Sequence, residues 1–372
     1  MSLANSPLEP IPVAILSVVK HDYIPRGMLA HTRFHAAVVA DDPEQPEWAH
    51  ERNEAFAEEL KVPYVRSVES ALSDYDAKVA VVSSAAERHC DLSVRAANAG
   101  LHVVQDKPMS TVLTECDRVV EAVERNGVKF MMWNRNFLPA VQQAASAVAD
   151  GKIGKVAAIH VDFYFAKDAG PPISSRADDD PPLDWLEYLI AAHATGADGG
   201  LGHKPMGELE VEGIYPLAYI HVVTGLRVRR VFARAKAHFH QLQLDNDVDD
   251  LATVTLEMDN GIVGSICMGR IGNASHPDIG EIKLHIVGTE GSLVISEARP
   301  EVSVYYRGRP DTIYPHLRVA NHNDWLLADH FARAIDEDGD TPLNAHVARH
   351  IFETVHAAIA SGKSGLPVDV ER

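Results

Sequence analysis

The sequence LHVVQDKP, at positions 101–108, decides the fold of this chain. Its apolar half predicts a short buried strand, which ends at the charged turn because proline cannot donate to a sheet ladder and holds the residue before it extended. Residues 79–84 (VAVVSS) predict the preceding strand, and residues 85–99 predict a helix that Gly100 ends. This strand–helix–strand unit places Lys107 at the carboxyl end of a strand, where open α/β sheets bind ligands. The alternative for Lys107 is an ordinary surface turn.

The composition is that of a globular protein with room for two domains. The chain has 372 residues, of which 46% are hydrophobic and 6% aromatic, and this excludes a disordered or fibrous protein. A formal charge of −19 disfavours nucleic acid as a partner. The three cysteines are widely spaced, and neither a run of about 18 apolar residues nor a basic and apolar leader is found. We therefore expect a cytoplasmic protein without disulfides or membrane contact.

The N-terminal part predicts the opening of a Rossmann domain. Residues 12–17 and 34–40 predict two strands separated by a gap of helix length. Asp41 follows the second strand, where a Rossmann carboxylate accepts hydrogen bonds from the adenosine ribose and repels a 2′-phosphate. This position favours NAD over NADP. A solvated Asp-Asp-Pro turn is an equal alternative from the local sequence.

The loop after the first strand lacks the pattern G-x-G-x-x-G, whose glycines let backbone amides approach pyrophosphate. Ser17, Val19 and Asp22 stand at the three glycine positions. Two interpretations remain open. Either Lys20 and His21 supply donors from a loop of another shape, or dinucleotide binding is weak or lost.

Three segments resemble the signature of the Gfo/Idh/MocA family (glucose–fructose oxidoreductase and inositol dehydrogenase): SAAERH at 84–89, AANAGLHV at 96–103 and DKP at 106–108. That signature has a histidine after the fourth strand, an alanine-rich helix ending in glycine, and a Glu-Lys-Pro triplet, whose glutamate is Asp106 here. The resemblance implies an α/β protein with an N-terminal Rossmann-like doubly wound parallel sheet, residues 1–133. It implies a C-terminal α+β domain, residues 134–372, with a large open antiparallel sheet for substrate and subunit contacts.

The same resemblance implies an NAD(P)-dependent oxidoreductase that forms a homo-oligomer, a dimer or tetramer, and acts on a polyol, sugar or related carbinol. The candidate cofactor-binding residues lie at the ends of predicted strands, and Asn134 among them follows the sixth strand. They are Ser17, Val18, Val19, His21, Asp41, Ser84, His89, Asp106, Lys107 and Asn134.

Residues 156–165 begin a series of alternating strands, which is typical of an antiparallel sheet with one solvated face. The sequence DNG at 259–261 predicts a hairpin turn within this series. The segment 166–207 is rich in Pro, Gly and Asp, and its length predicts a functional loop or lid with a short helix around Trp185. Trp185 and Lys204 are the candidate substrate-binding residues of this segment.

Residues 206–218 (MGELEVEGIYPLA) resemble the family helix that faces the nicotinamide, with the pattern Gly-x-Leu-x-Asp-x-Gly-x-His-x-x-Asp and Tyr replacing His in some relatives. Tyr215 keeps the aromatic proton donor, while Val211 and Ala218 replace the two carboxylates. A tyrosine beside a lysine can take a hydroxyl proton during hydride transfer because the cation favours phenolate. We expect Lys107 and Tyr215 to be catalytic, with Tyr215 also contacting substrate. A tyrosine in the core is the alternative.

Two further interpretations follow from what the sequence lacks. The residues at Val19, Val211 and Ala218 leave open a non-redox protein that senses a ligand, or an enzyme such as an epimerase that keeps its nucleotide bound.

The histidine pairs His346/His350 and His238/His240 have ligand spacing, but neither has a nearby acid in an H-E-x-x-H arrangement. We therefore expect a small-molecule substrate and no metal.

Overall fold

The computed structural model describes residues 9–19, 21–137, 139–165, 206–239, 241–270, 281–296, 301–306 and 323–370. Contacts divide the described chain into two compact units. The first unit comprises the residues up to Trp133 together with Asp324–Arg349, and the second comprises the rest. The two domains expected from the sequence, residues 1–133 and 134–372, stay a prediction.

The first unit contains a six-stranded sheet. Its strands are β1 (Ile11–Leu16), β2 (Phe34–Ala40), β3 (Tyr64–Val65), β4 (Val79–Val82), β5 (His102–Gln105) and β6 (Phe130–Met132). All pairs are parallel and the order is β3-β2-β1-β4-β5-β6. The chain therefore proceeds outward in opposite directions from β1 and from β4, so the topological switch point lies between them. Every residue of β4 is buried, as expected for a central parallel strand.

The second unit contains an eight-stranded sheet. Its strands are β7 (Val156–Phe165), β8 (Val228–Lys236), β9 (Leu251–Met258), β10 (Val263–Arg270), β11 (Glu281–Gly288), β12 (Gly291–Ser296), β13 (Glu301–Tyr306) and β14 (Val368–Asp369). The order is β13-β12-β11-β7-β10-β9-β8-β14. The predicted hairpin at 259–261 joins β9 to β10, and Gly261 there has a φ of 81°.

The second sheet differs from the expected antiparallel sheet at one pair. β7 and β10 are parallel, whereas the other pairs are antiparallel. The hairpin turns β10 back beside β9, and the free edge of β10 then pairs with β7 in the same direction. Side chains alternate along β9 between buried and more exposed positions, as expected for a sheet with one solvated face.

The described helices are Tyr23–Leu29, Glu47–Leu60, Val68–Ser73, His89–Asn98, Leu113–Asn126, Pro139–Ala149, Glu208–Glu212, Ile214–Thr224, Gln241–Asn246, Asn323–Asp336 and Ala345–Ser364. The alanine-rich helix predicted after β4 is preceded by a 3₁₀ turn, Ala86–Arg88. Sequence reasoning did not predict the helix Pro139–Ala149. Proline is in fact favoured at the first position of a helix, where the missing N–H costs nothing. Lys20, Trp185 and Lys204 lie outside the described residues.

The parallel register of β7 and β10 can be tested at Gly264, which lies opposite Ile159. A Cβ atom on Gly264 would be 2.7 Å from the Ile159 carbonyl oxygen. We expect Gly264→Ala to lower the free energy of unfolding by about 1–3 kcal/mol because the two backbones must separate. The neighbouring Val263→Thr change, on a largely exposed side chain, should stay within about 0.5 kcal/mol. Urea denaturation of both variants decides the matter, and equal midpoints would contradict this register.

Candidate functional site

The turn that carries Lys107 is held by the buried side chain of Gln105, the last residue of β5. Gln105 Nε2 donates to the carbonyl oxygens of Asp106, at 3.2 Å, and Met109, at 2.9 Å. Ser93 Oγ donates to Gln105 Oε1 at 2.7 Å. One amide therefore fixes both ends of the turn, since breaking these bonds would leave buried polar groups unpaired.

His89, the first residue of the helix after β4, holds the same turn. Its Nδ1 lies 2.7 Å from the Pro108 carbonyl oxygen and its Nε2 lies 3.0 Å from the Ser84 carbonyl oxygen. His89 and Ser84 are buried. His89, predicted as a cofactor contact, thus connects the end of β4 to the turn after β5, which is a positioning arrangement.

Asp106 adds a charge to the turn. Its side chain accepts a hydrogen bond from the Lys107 amide at 2.7 Å and lies 2.6 Å from His21 Nδ1. Burial alone would raise the pKa of Asp106, but the neighbouring His21, with contributions from His89 and Lys107, lowers it below its usual value. Lys107 itself is 7% exposed. The carboxylate therefore stays ionised beside the lysine.

The loop after β1 is a closed turn. Ser17 has a φ of 57°, in the left-handed region that a glycine would adopt more readily. The Val18 amide donates to Asn53 Oδ1 at 2.7 Å, and the Val19 amide donates to the Ser17 carbonyl at 3.1 Å. The Val19 side chain is buried in a cluster with two alanines, Ala49 and Ala85. These amides are directed to protein acceptors, so the loop cannot bind pyrophosphate in the glycine-rich manner.

Asp41 is fully buried and its carboxylate has four donors. Ser17 Oγ, at 2.8 Å, and Asn53 Nδ2, at 3.2 Å, both donate to Oδ2. The Asp42 amide, at 2.9 Å, and Arg88 Nη1, at 2.8 Å, both approach Oδ1. A ribose hydroxyl can therefore bond to Asp41 only if one of these donors moves away.

Asp42 lies in the same network and is bound by two arginines. Arg95 donates to both carboxylate oxygens at 2.8 Å, and Arg88 Nη2 donates to Oδ2 at 2.9 Å. Burial opposes ionisation of Asp42, but Arg95 and then Arg88 hold its pKa below the usual value. Sequence reasoning missed Arg88 and Asn53. The available signal for Arg88 was a cation immediately before His89, close after the end of β4.

In the second unit, the helix Glu208–Glu212 begins against Asp249. Asp249 Oδ2 accepts from the Leu209 amide at 2.8 Å, and its carbonyl accepts from the Glu208 amide. A Cβ on Gly207 would lie 2.1 Å from Asp249 Oδ1, so this contact requires glycine. The close approach fixes where the helix starts.

Tyr215 lies on the following helix, Ile214–Thr224, and is 6% exposed. Its ring stacks on Phe163 of β7, with centroids 5.8 Å apart and an interplanar angle of 17°. Asn134 is also buried, and its Oδ1 accepts from the Asn136 amide at 2.7 Å. Lys107 and Tyr215 belong to different units, so their joint action stays a prediction.

Within the part of the chain that the structure describes, no helix combines the length and the apolar character needed to cross a membrane. The described residues also contain no group of three or more His, Cys, Asp or Glu side chains arranged to hold a metal ion.

Two family models match the chain. The model described as an oxidoreductase family with an NAD-binding Rossmann fold matches residues 31–133, and the GFO/IDH/MocA C-terminal domain matches residues 207–294. Together they span more than half of the chain. The chain belongs to the Gfo/Idh/MocA family of oxidoreductases. The first match begins after β1 and the closed loop, where the sequence departs from the usual pattern.

Named relatives have the same family character. The scyllo-inositol 2-dehydrogenase (NAD(+)) of Bacillus subtilis (strain 168) is 23% identical over 329 residues, 86% of this chain and 86% of that enzyme. The levoglucosan dehydrogenase of Pseudarthrobacter phenanthrenivorans is 25% identical over 270 residues, 70% of this chain and 65% of that enzyme. A solved structure of levoglucosan dehydrogenase in complex with NADH has a TM-score of 0.78 and 20% identity, covering 98% of this chain and 100% of that one. This last likeness shows a shared fold.

The donor set of this Gfo/Idh/MocA protein fits NAD in its chemistry. Asp41 and Asp42 lie at the end of β2, where Rossmann domains bind the adenosine ribose, and the cation Arg88 lies beside the end of β1. The turn bearing Lys107 follows β5, on the other side of the switch point. The fit therefore depends on charged side chains instead of bare backbone.

The second domain of this family member has a buried charge cluster on the helix before Tyr215. Arg270, 1% exposed, donates through Nε to Glu208 Oε2 at 2.9 Å, and its Nη2 lies 3.3 Å from Glu212 Oε1. Among the described residues, no partner is found for Glu208 Oε1. Burial, and the nearby Glu212, raise the pKa of Glu208 to about 7 although Arg270 opposes this. Sequence reasoning did not anticipate Arg270 as a partner of these glutamates.

Glu208 makes the stability of the fold depend on pH. The pKa of Glu208 is about 7 in the folded state and 4.5 ordinarily. Between pH 4.5 and 7 the folded state therefore retains a proton that the unfolded chain has lost. The free energy of unfolding should therefore fall as the pH rises through this window. We expect Glu208→Gln to remove about 1–3 kcal/mol of this fall.

Urea denaturation from pH 4.5 to 8 measures the effect, with the exposed Glu290→Gln as control. Parallel pH profiles for the wild type and Glu208→Gln would contradict the assigned titration.

Proposed function

We propose that this protein oxidises a hydroxyl group of a polyol, sugar or related carbinol with NAD, or reduces the matching carbonyl. The relatives named as scyllo-inositol and levoglucosan dehydrogenases support this substrate class. The observation that carries the proposal is the turn at Lys107, where Gln105 and His89 immobilise a lysine at the carboxyl end of β5. The first domain would hold the cofactor and the second the substrate.

In the proposed mechanism, bound NAD supplies the hydride acceptor. Lys107 Nζ donates a hydrogen bond to the substrate hydroxyl and orients it, and its charge favours the alkoxide that develops as hydride leaves. Tyr215 Oη accepts the hydroxyl proton and returns it in the reverse direction. Asp106 keeps a negative charge beside Lys107, which favours the ammonium form. Trp185 and Lys204 remain candidates for substrate contacts.

NAD is proposed as the coenzyme in preference to NADP. Asp41 and Asp42 place two carboxylates at the end of β2, and these would repel a 2′-phosphate. Among the candidate cofactor residues, Ser17, Asp41 and Asp106 lie at the ends of β1, β2 and β5, which meet the same edge of the sheet. This placement supports a dinucleotide along that edge.

Variants at the two catalytic candidates test the proposal. Lys107→Ala should abolish turnover while NAD binding persists, because the lysine acts on the substrate hydroxyl. Tyr215→Phe keeps the ring that stacks on Phe163 and should lower kcat by about a hundredfold or more, with a changed pH–rate profile. Lys155→Ala, on an exposed lysine, is the control.

The measurement is the appearance of reduced nicotinamide with inositols and anhydrosugars as trial substrates. Wild-type activity in either variant would mean that the substituted residue has a structural role and no catalytic one. NAD binding without turnover on any carbinol would instead favour the ligand-sensing alternative.

We also propose a homo-oligomer, with the second sheet as the contact face. His160, Asp162, Lys283 and His285 are exposed on adjacent strands, so this face of the sheet is solvent-exposed at these described positions. Symmetric packing of two such faces would cover it. Sedimentation equilibrium at micromolar concentration should give a multiple of the chain mass of 40.6 kDa. A mass equal to one chain would contradict the proposal.

A further inference from the structure

The side chain of Arg88 lies at the topological switch point of the first sheet. The 3₁₀ turn Ala86–Arg88 follows β4, and β4 pairs with β1. Arg88 Nη1 donates to Ser17 Oγ, just after β1, at 3.1 Å. Ligands of open α/β sheets bind in the crevice beyond the strands at this point. The side chain of Arg88 retains 14% exposure.

The usual donors of a dinucleotide site are engaged elsewhere. The Val18 and Val19 amides are bonded within the protein, and the Val19 side chain fills the space near Ala49 and Ala85. His21 Nδ1 is engaged by Asp106. Among the described residues of this loop, these donors are therefore not free for a diphosphate, and a neighbouring cation can take their place.

When Arg88 leaves its present partners, both carboxylates keep hydrogen bonds, although the buried Asp41 loses its paired cation. Asp41 would keep Ser17 Oγ, Asn53 Nδ2 and the Asp42 amide as donors. Asp42 would keep the bidentate contact with Arg95. The carboxylate oxygen of Asp41 that Arg88 vacates would then be available to a ribose hydroxyl. The exchange replaces one charge-assisted pair by another, and its cost is that of leaving the buried Asp41 carboxylate with neutral donors.

We propose that Arg88 binds the diphosphate of NAD in place of a glycine-rich loop, exchanging Asp41 and Asp42 for the phosphates as the cofactor enters. This inference rests on the proposed NAD-dependent function. The diphosphate is favoured over a 2′-phosphate because Arg88 contacts the residue that follows β1, beside which a Rossmann diphosphate lies, and because two carboxylates remain at the end of β2. The planar fork of arginine suits two phosphate oxygens at once.

Isothermal titration calorimetry with NAD, ADP and adenosine tests the inference on wild type, Arg88→Gln and Arg95→Gln. Arg95→Gln is the matched control, because the substitution removes a positive charge that is also bonded to Asp42. Arg95 itself, unlike Arg88, has no bond to Ser17 or Asp41. Arg88→Gln should weaken NAD and ADP by about tenfold or more and leave adenosine unchanged. Arg95→Gln should leave all three affinities within a few-fold of wild type. Arg88→Lys, which keeps the charge, should recover part of the loss.

Several outcomes overturn the inference. Equal ADP affinities in Arg88→Gln and Arg95→Gln would mean that Arg88 only forms structural ion pairs. Tighter NAD binding in Arg88→Gln would mean that Arg88 obstructs the cofactor. A loss confined to NADP, titrated as a fourth ligand, moves Arg88 to the 2′-phosphate. A loss in Lys20→Gln without one in Arg88→Gln assigns the diphosphate to Lys20. Wild-type protein that binds neither NAD nor ADP overturns the proposed function as well. Circular dichroism of each variant separates weakened binding from unfolding.

Discussion

The position of Lys107 depends on hydrogen bonds between buried side chains and the backbone of the turn. β4 and β5 are already paired, and His89 and Gln105 tie the carbonyls of the turn to those strands. Each bond satisfies a buried polar group that would cost free energy if left unpaired. The turn therefore cannot relax one bond at a time without a penalty. A lysine carried on such a turn is preorganised before any ligand arrives, which is what transition-state stabilisation requires.

The end of β1 uses a different strategy. A glycine-rich loop presents bare amides in advance, whereas here the amides of Val18 and Val19 are already satisfied. The positive charge comes from Arg88, which is paired with Asp41 and Asp42. Binding at this end is then an exchange of ion-pair partners by Arg88. The free energy of binding there is the difference between the free energies of its contacts with the phosphates and with the carboxylates. The two ends of one crevice thus combine a rigid turn at β5 with an exchangeable ion pair at β1.

The sequence predicted what local rules determine. Strand periodicity, the Asn-Gly hairpin and the Asp-Lys-Pro turn depend on neighbouring residues, and the strands predicted at 12–17, 34–40, 79–84 and 156–165 lie close to β1, β2, β4 and β7. The contacts at the site join residues distant in the sequence: Asn53 is 35 positions from Val18, and Arg88 is 71 from Ser17. No periodicity or spacing rule predicts such partners. The parallel pairing of β7 with β10 was missed for the same reason, since it depends on which free edge meets which strand.

The helix before Tyr215 shows how a family site can change its charges without losing them. Val211 and Ala218 stand where the family pattern has carboxylates, but Glu208 and Glu212 lie four residues apart on one face of the preceding turn and share Arg270. With both glutamates ionised the buried group has an excess negative charge, and a proton on Glu208 balances Arg270 against Glu212 alone. Burial favours the balanced state, because an uncompensated charge in the interior is costly. The helix that precedes the one with Tyr215 thus carries a carboxyl group whose pKa is raised to about 7.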